Sequence, residues 1–195
     1  MTRYDDRTAL LVVDVQNDFA DPNGALSVAG GEDIVEPMND EIDVARSAGA
    51  LVVYTQDWHP EHTPHFRRDG GIWPVHCVGG SWGAELHPRL RRVGGETIRK
   101  GTDGRDGYSA FSVRDPMSGA TEPTRLERTL RDRRIERVVI GGLATDYCVV
   151  ETVLDARRIG LAAEVLVGAV RAVDLEPGDG DRAIERMREA GAAVA

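Results

Sequence analysis

The stretch Arg137-Val138-Val139-Ile140-Gly141-Gly142-Leu143-Ala144-Thr145-Asp146-Tyr147-Cys148 restricts this chain more than any other. A short apolar run, of the kind that forms a buried strand, enters paired glycines. Beyond them Val149, Val150, Val153, Leu154 and Ala156 follow a helical period rather than an alternating one. Strand, tight turn and helix in that order demand a layered α/β arrangement. Thr145 is the predicted N-cap, which puts Cys148 in the first turn of the helix. Unpaired amides and the helix dipole favour a thiolate there. Small residues before the cap let a substrate approach the backbone, so the same turn can hold an oxyanion. The competing reading is a buried structural cysteine, a common fate for free cysteine.

Other segments repeat the pattern. Thr8-Ala9-Leu10-Leu11-Val12-Val13 is a continuous apolar run, expected of a central strand covered on both faces, and it ends at Asp14. Aspartate usually serves turns and caps. Directly after five apolar residues, at the end where open α/β sheets bind ligands, Asp14 reads instead as functional. Ile34, Val35, Met38, Ile42, Val44 and Ala45 form a helical stripe closed by Gly49. Leu51-Val52-Val53-Tyr54-Thr55-Gln56 is the next strand, ending at Asp57, so the pair makes a βαβ crossover with both aspartates at one sheet edge. Glu96-Thr97-Ile98-Arg99-Lys100 is a further strand, ending in lysine, and the Asp103–Gly107 loop is expected to fold back over the edge and bring Tyr108 to the site. Residues 115–124 read as a turn, Leu126 and Leu130 as a short helix, Ala163–Val170 as a strand, Ile184 and Met187 as a helix, and Ala192–Ala195 as a last short strand. The whole, residues 1–195, is expected to be a single domain: a three-layer α/β/α sandwich with a mainly parallel, roughly six-stranded, doubly wound sheet.

All five histidines, His59, His62, His65, His76 and His87, lie in an irregular segment following Asp57. Long irregular segments in compact domains are usually functional or disordered. Asp57 and His59 can turn toward one ion, with His65 or His62 and then His76 completing the shell. Imidazole with carboxylate suits zinc, ferrous iron or manganese. His87, beside Pro88 and a basic run, reads as structural. Phe19 either walls a pocket or fills core, and Trp73 and Trp82 are either loop packing or walls for a planar ligand. A net charge of −9 argues against nucleic acid or an anionic membrane as partner. Two cysteines, Cys77 and Cys148, in no CxxC spacing, fit free thiols in a reducing compartment. With no leader or membrane span visible, the cytoplasm is the expected location.

Three separated stretches resemble one family, the cysteine hydrolases of the nicotinamidase/isochorismatase superfamily: Leu11–Phe19, Lys100-Gly101 and Gly142–Val149. The resemblance implies a triad of Asp14, Lys100 and Cys148, a cis peptide at Leu143-Ala144, and an oxyanion held by the backbone amides of Ala144 and Cys148. Thr55–Pro60 and Trp73–Val78 resemble the nicotinamidase branch, which binds a divalent metal through residues matching Asp57, His59 and His76. A further loop histidine varies in that branch: His65 matches one version and His62 is the alternative. Isochorismatases proper lack the cysteine, and carbamoylsarcosine and ureidoacrylate hydrolases generally lack the Asp-x-His pair. The expected activity is hydrolysis of nicotinamide to nicotinate and ammonia through a thioester, with one divalent metal, zinc first and iron or manganese behind it. Phe19, Trp73 and Tyr108 are expected to wall the ring. Two rivals stand beside it, an amidase for another aromatic or heteroaromatic amide and a catalytically idle metal-binding assembly module. Members of the family are often dimeric or larger, which leaves a homo-oligomer open.

Overall fold

The computed structural model describes residues 3–195. Its sheet contains β1 (Thr8–Val13), β2 (Leu51–Asp57), β3 (Glu96–Lys100), β6 (Arg137–Leu143), β7 (Ala162–Arg171) and β8 (Ala193–Val194), in the order β3-β2-β1-β6-β7-β8. Every pairing in this sheet is parallel. The helices are α1 (Asn17–Ala20), α2 (Val35–Ser47), α3 (Leu126–Asp132), α4 (Val150–Arg158) and α5 (Asp179–Glu189). No helix among the described residues is long and apolar enough to cross a membrane.

Side chains alternate across a strand, so β1 feeds two cores at once. Leu10 and Val12 pack with Met38 and Ile42 of α2 on one face. Ala9, Leu11 and Val13 pack on the other with Val150 and Val153 of α4, Met187 of α5 and Leu130 of α3. That double burial is why the run is apolar without a break. From β1 the chain winds outward through β2 to β3, and from β6 it winds the opposite way to β8. The reversal falls between β1 and β6, and open sheets place their ligand crevice at the carboxyl ends of the strands at such a point.

The paired glycines let β6 lie this close to its neighbours. A Cβ on Gly141 would sit 2.5 Å from Met38 Cε, and one on Gly142 would sit 2.0 Å from the Val13 carbonyl oxygen at a φ of +127°. The β6–β7 register shifts between Ile140 and Gly142.

Several local expectations give way. Thr145 is not a side-chain cap: Ala144 precedes a π-helical turn, Thr145–Val149, that leads into α4, and no side-chain cap bond forms. Val44 leaves the apolar stripe at 56% exposure, because it sits two residues beyond Ile42 and so on the opposite side of the helix. Residues 115–120 do turn, but β4 (Ser112–Arg114) and β5 (Thr121–Pro123) pair antiparallel around them. Strands of three residues are too short to show alternation. Leu11→Ala should cost about 2–5 kcal/mol in denaturant unfolding through its cavity. Val44→Ala should stay within about 0.5 kcal/mol of the parent.

Candidate active site

Four strand ends deliver the site. Asp14 follows β1 with φ +48°, Asp57 ends β2, Lys100 ends β3, and Cys148 lies in the turn after β6. Lys100 Nζ is wholly buried and stands 2.6 Å from Asp14 Oδ2, 3.0 Å from Asp57 Oδ1 and 3.5 Å from Cys148 Sγ. It also donates to the Gly107 carbonyl. Thr55 Oγ1 donates to Asp14 Oδ1 at 2.5 Å and accepts from the Asp14 amide at 3.1 Å. Carboxylate oxygens of Asp14 and Asp57 and the sulfur of Cys148 all lie within 4.8 Å of one another.

Burial pushes the Asp14 carboxyl above its ordinary range, with Lys100 opposing and Asp57 adding to the rise. Burial acts the same way on Asp57, but there Lys100, with His59 and His76, outweighs it and the carboxyl is held low. Burial acts to lower Lys100, yet Asp14 and Asp57 outweigh it and keep the ammonium charged. Burial drives the Cys148 thiol well above its usual value, Lys100 opposing and Asp14 reinforcing. The helix start therefore does not leave a standing thiolate. The thiol keeps its proton beside a carboxylate whose own proton affinity is raised, and that match favours transfer between them.

Next to this cluster, His59, His65 and His76 bring one ring nitrogen each within 4.8 Å of the others, all three buried. Asp57 Oδ2 is 3.7 Å from His59 Nε2. His76 Nδ1 lies 2.8 Å from the Pro74 carbonyl and His65 Nδ1 lies 2.8 Å from Asp106 Oδ1, which leaves Nε2 of each ring for a ligand. Both ring nitrogens of His59 are buried with no hydrogen-bond partner, and Asp57 Oδ1 has only its ion pair with Lys100. Buried polar atoms are rarely left so. Two carboxylates against one lysine also leave the cluster short of positive charge. Three imidazoles and a carboxylate fit a divalent zinc, iron or manganese ion, and His76, whose pKa burial lowers to about 4, is in the neutral form that ligates. His62 is turned away, its side chain 71% exposed against Asp69. His87 is buried elsewhere, beside Glu32.

Phe19, Trp73 and Tyr108 line a cavity that reaches Cys148, Ala144, His65, His76 and Asp57, with Leu26, Tyr147 and Val173 completing the walls. Trp73 Nε1 donates to Tyr108 Oη at 2.8 Å, and Tyr147 meets Trp73 edge-on at 4.9 Å. Trp82 lies outside this lining and is half exposed. A wider groove along β3, lined by Trp58, Arg92 and Arg99, holds neither Asp14 nor Cys148. The Leu143-Ala144 peptide is cis.

Sequence reasoning passed over Thr55, Gln16 and Asp106. Gln16 donates from Nε2 to the Asp57 and Ala84 carbonyls and accepts the Asp57 amide on Oε1, which ties the strand end to the irregular segment. Asp18 accepts the Cys77 amide at 2.6 Å and so fixes the residue after His76. A polar residue at the buried end of an apolar strand was the available signal for Thr55.

The Isochorismatase domain family matches residues 8–195. The chain belongs to the isochorismatase family. The nicotinamidase of Escherichia coli (strain K12) is 38% identical over 203 residues, covering 95% of this chain and 93% of that protein. The pyrazinamidase of Pyrococcus horikoshii, solved in complex with zinc, has a TM-score of 0.85 at 39% identity and covers 97% of this chain and 98% of its own. PnC1 from L. infantum, solved in complex with nicotinate, has a TM-score of 0.85 at 36% identity, with coverage of 96% and 91%. This isochorismatase-family chain is thus a hydrolase with nicotinamidase relatives along almost its full length.

The buried His76 carries a pH consequence for the metal-free protein. Its folded pKa, about 4, lies below the unfolded 6.5, so between those values the unfolded chain binds the extra proton and stability falls as pH falls. Urea midpoints of metal-stripped protein should drop from pH 6.5 toward pH 4, and His76→Phe should flatten that slope.

Proposed function

We propose that this chain hydrolyses nicotinamide to nicotinate and ammonia, with Cys148 as nucleophile, Asp14 as proton carrier and Lys100 as the group that holds Asp14 ionised. The carrying observation is that Cys148, backed by the Lys100–Asp14 pair, lines the same small aromatic cavity as Asp57, His65 and His76. Nicotinamidase relatives support the same reading.

Asp14 takes the Cys148 proton, and Lys100 stabilises the charge left on the sulfur. The sulfur attacks the carboxamide carbon, forming the C–S bond. Backbone N–H groups of Ala144 and Cys148 receive the developing oxyanion, each such donor being worth about 3–4 kcal/mol in comparable sites. The proton on Asp14 passes to the amide nitrogen, the C–N bond breaks, and ammonia leaves a thioester. Asp14 then accepts a proton from water, whose oxygen attacks the thioester carbon. The C–S bond breaks, the sulfur recovers the proton, and nicotinic acid departs.

Asp57, His59, His65 and His76 would hold one divalent ion, zinc by ligand type. When bound, that ion supplies a Lewis-acidic contact for the ring nitrogen of the substrate. Phe19, Trp73 and Tyr108 enclose the ring.

The test is ammonia release from nicotinamide by zinc-loaded protein, beside a chelator-treated sample and benzamide, which lacks the ring nitrogen. Release should vanish with chelation, return with zinc and be weak for benzamide. Asp14→Asn should lower turnover roughly 10²–10⁴-fold, as loss of a general base does. Cys148→Ala should release none while still binding zinc. Zinc-bound protein that leaves nicotinamide intact would move the substrate to another aromatic amide, and turnover by Cys148→Ala would remove the nucleophile.

A further inference from the structure

After β3 the chain doubles back as a strap, residues 106–112, against Lys100 and the cavity. Backbone bonds in both directions between Asp106 and Arg114, each 2.8 Å, anchor its start on the β4–β5 ribbon. Gly107 then gives its carbonyl to Lys100, and a Cβ there would stand 2.5 Å from Lys100 Cβ, so the approach is backbone on side chain. Tyr108 follows as a cavity wall. The Asp106 side chain takes no part in these contacts; it reaches sideways, its Oδ1 2.8 Å from His65 Nδ1.

Of the three clustered imidazoles, His65 alone has a carboxylate on its Nδ1. His76 uses a backbone carbonyl there, and His59 Nδ1 has no partner. A carboxylate on one imidazole nitrogen holds the proton on that side, leaves the other lone pair free, and raises its basicity toward a metal. The ring itself is boxed in, stacked on His59 at a centroid distance of 4.7 Å and against Phe66 at 6.2 Å. It can swing little, so the tautomer is what remains to be set.

We propose that Asp106 is a positioning residue of the metal centre: it accepts the Nδ1–H of His65, fixes that tautomer with Nε2 toward the ion, and thereby sets the affinity of the chain for its metal. This rests on the reading of the histidine cluster as a metal site. Because the strap's backbone is anchored through Arg114, the side chain can be removed while the Gly107–Lys100 contact stays.

The experiment is a zinc titration of metal-stripped full-length protein in competition with a chromogenic chelator. It compares the parent, Asp106→Ala, Asp106→Asn and Asp69→Ala, the last removing the partner of the excluded His62. Asp106→Ala should bind zinc roughly 10–100-fold more weakly, as expected when the outer partner of a ligand is lost. Asp106→Asn should lose less, since its amide oxygen still accepts the Nδ1–H, and Asp69→Ala should match the parent. Cobalt(II)-loaded Asp106→Ala should show altered ligand-field absorption. Its turnover should fall at limiting zinc and recover with excess zinc. Unchanged affinity in Asp106→Ala, or turnover that stays lost at saturating zinc because the strap has left Lys100, would overturn the proposal. A parent that takes up no zinc would overturn the metal reading beneath it, an outcome distinct from a zinc-binding parent whose Asp106 variants bind equally well.

Discussion

One buried ammonium holds this site together. Lys100 lies between two carboxylates and a thiol, with no access to solvent. Desolvating a lysine is costly unless its charge is paired and its protons are accepted. Asp14, Asp57 and the Gly107 carbonyl do this, so three separate segments are drawn to one point. Each also depends on Lys100 in return. Without that charge, Asp14 and Asp57 would face each other as two like charges in a dry interior, and one would have to take up a proton. The same placement that stabilises the cluster holds Asp14 close to Cys148.

The sheet explains why these residues meet. β1, β2 and β3 lie side by side and parallel, so residues that follow or end them share one edge. β6 joins on the other side of β1, where the winding reverses, and brings the π-helical turn with Cys148. Distances of 48 to 86 residues in sequence thus shrink to hydrogen-bond range in space. The irregular segment after β2 is then fastened by Gln16 and Asp18, two and four residues after Asp14 in sequence. Asp14 and the segment that carries the clustered histidines are therefore positioned by one short stretch.

Most of the strand framework and the Asp14 and Cys148 positions were legible because the apolar runs of β1 and β6 stop abruptly at a polar or glycine-bearing turn. Lys100 ends a mostly polar strand and stood out only through the Gly101 loop after it and the family resemblance. The choice between His65 and His62 was not legible. It depends on the path of the loop, which turns His62 out to Asp69 and folds His65 inward to Asp106, and nothing in the spacing of the two encodes that path. The sequence argument also overrated the helix start at Cys148. A helix dipole acts over the first turn, but burial of the sulfur outweighs it and pushes the thiol pKa up. Thr145 failed as a cap for a related reason: the turn closes through backbone bonds from Tyr147 and Val149 to the Ala144 carbonyl. The β4–β5 ribbon was hidden by its brevity.

The central claim is that the proton of a buried thiol passes to Asp14 and the sulfur becomes acylated. Its most direct test is acid-quenched mass spectrometry of zinc-loaded protein mixed with nicotinamide on the millisecond scale. A nicotinoyl group should appear on the peptide carrying Cys148, vanish as nicotinate accumulates, and be absent from the peptide carrying Cys77. Nicotinate formed with no acyl group ever detectable on Cys148, under conditions that preserve a synthetic thioester, would contradict the account and point to direct attack by water.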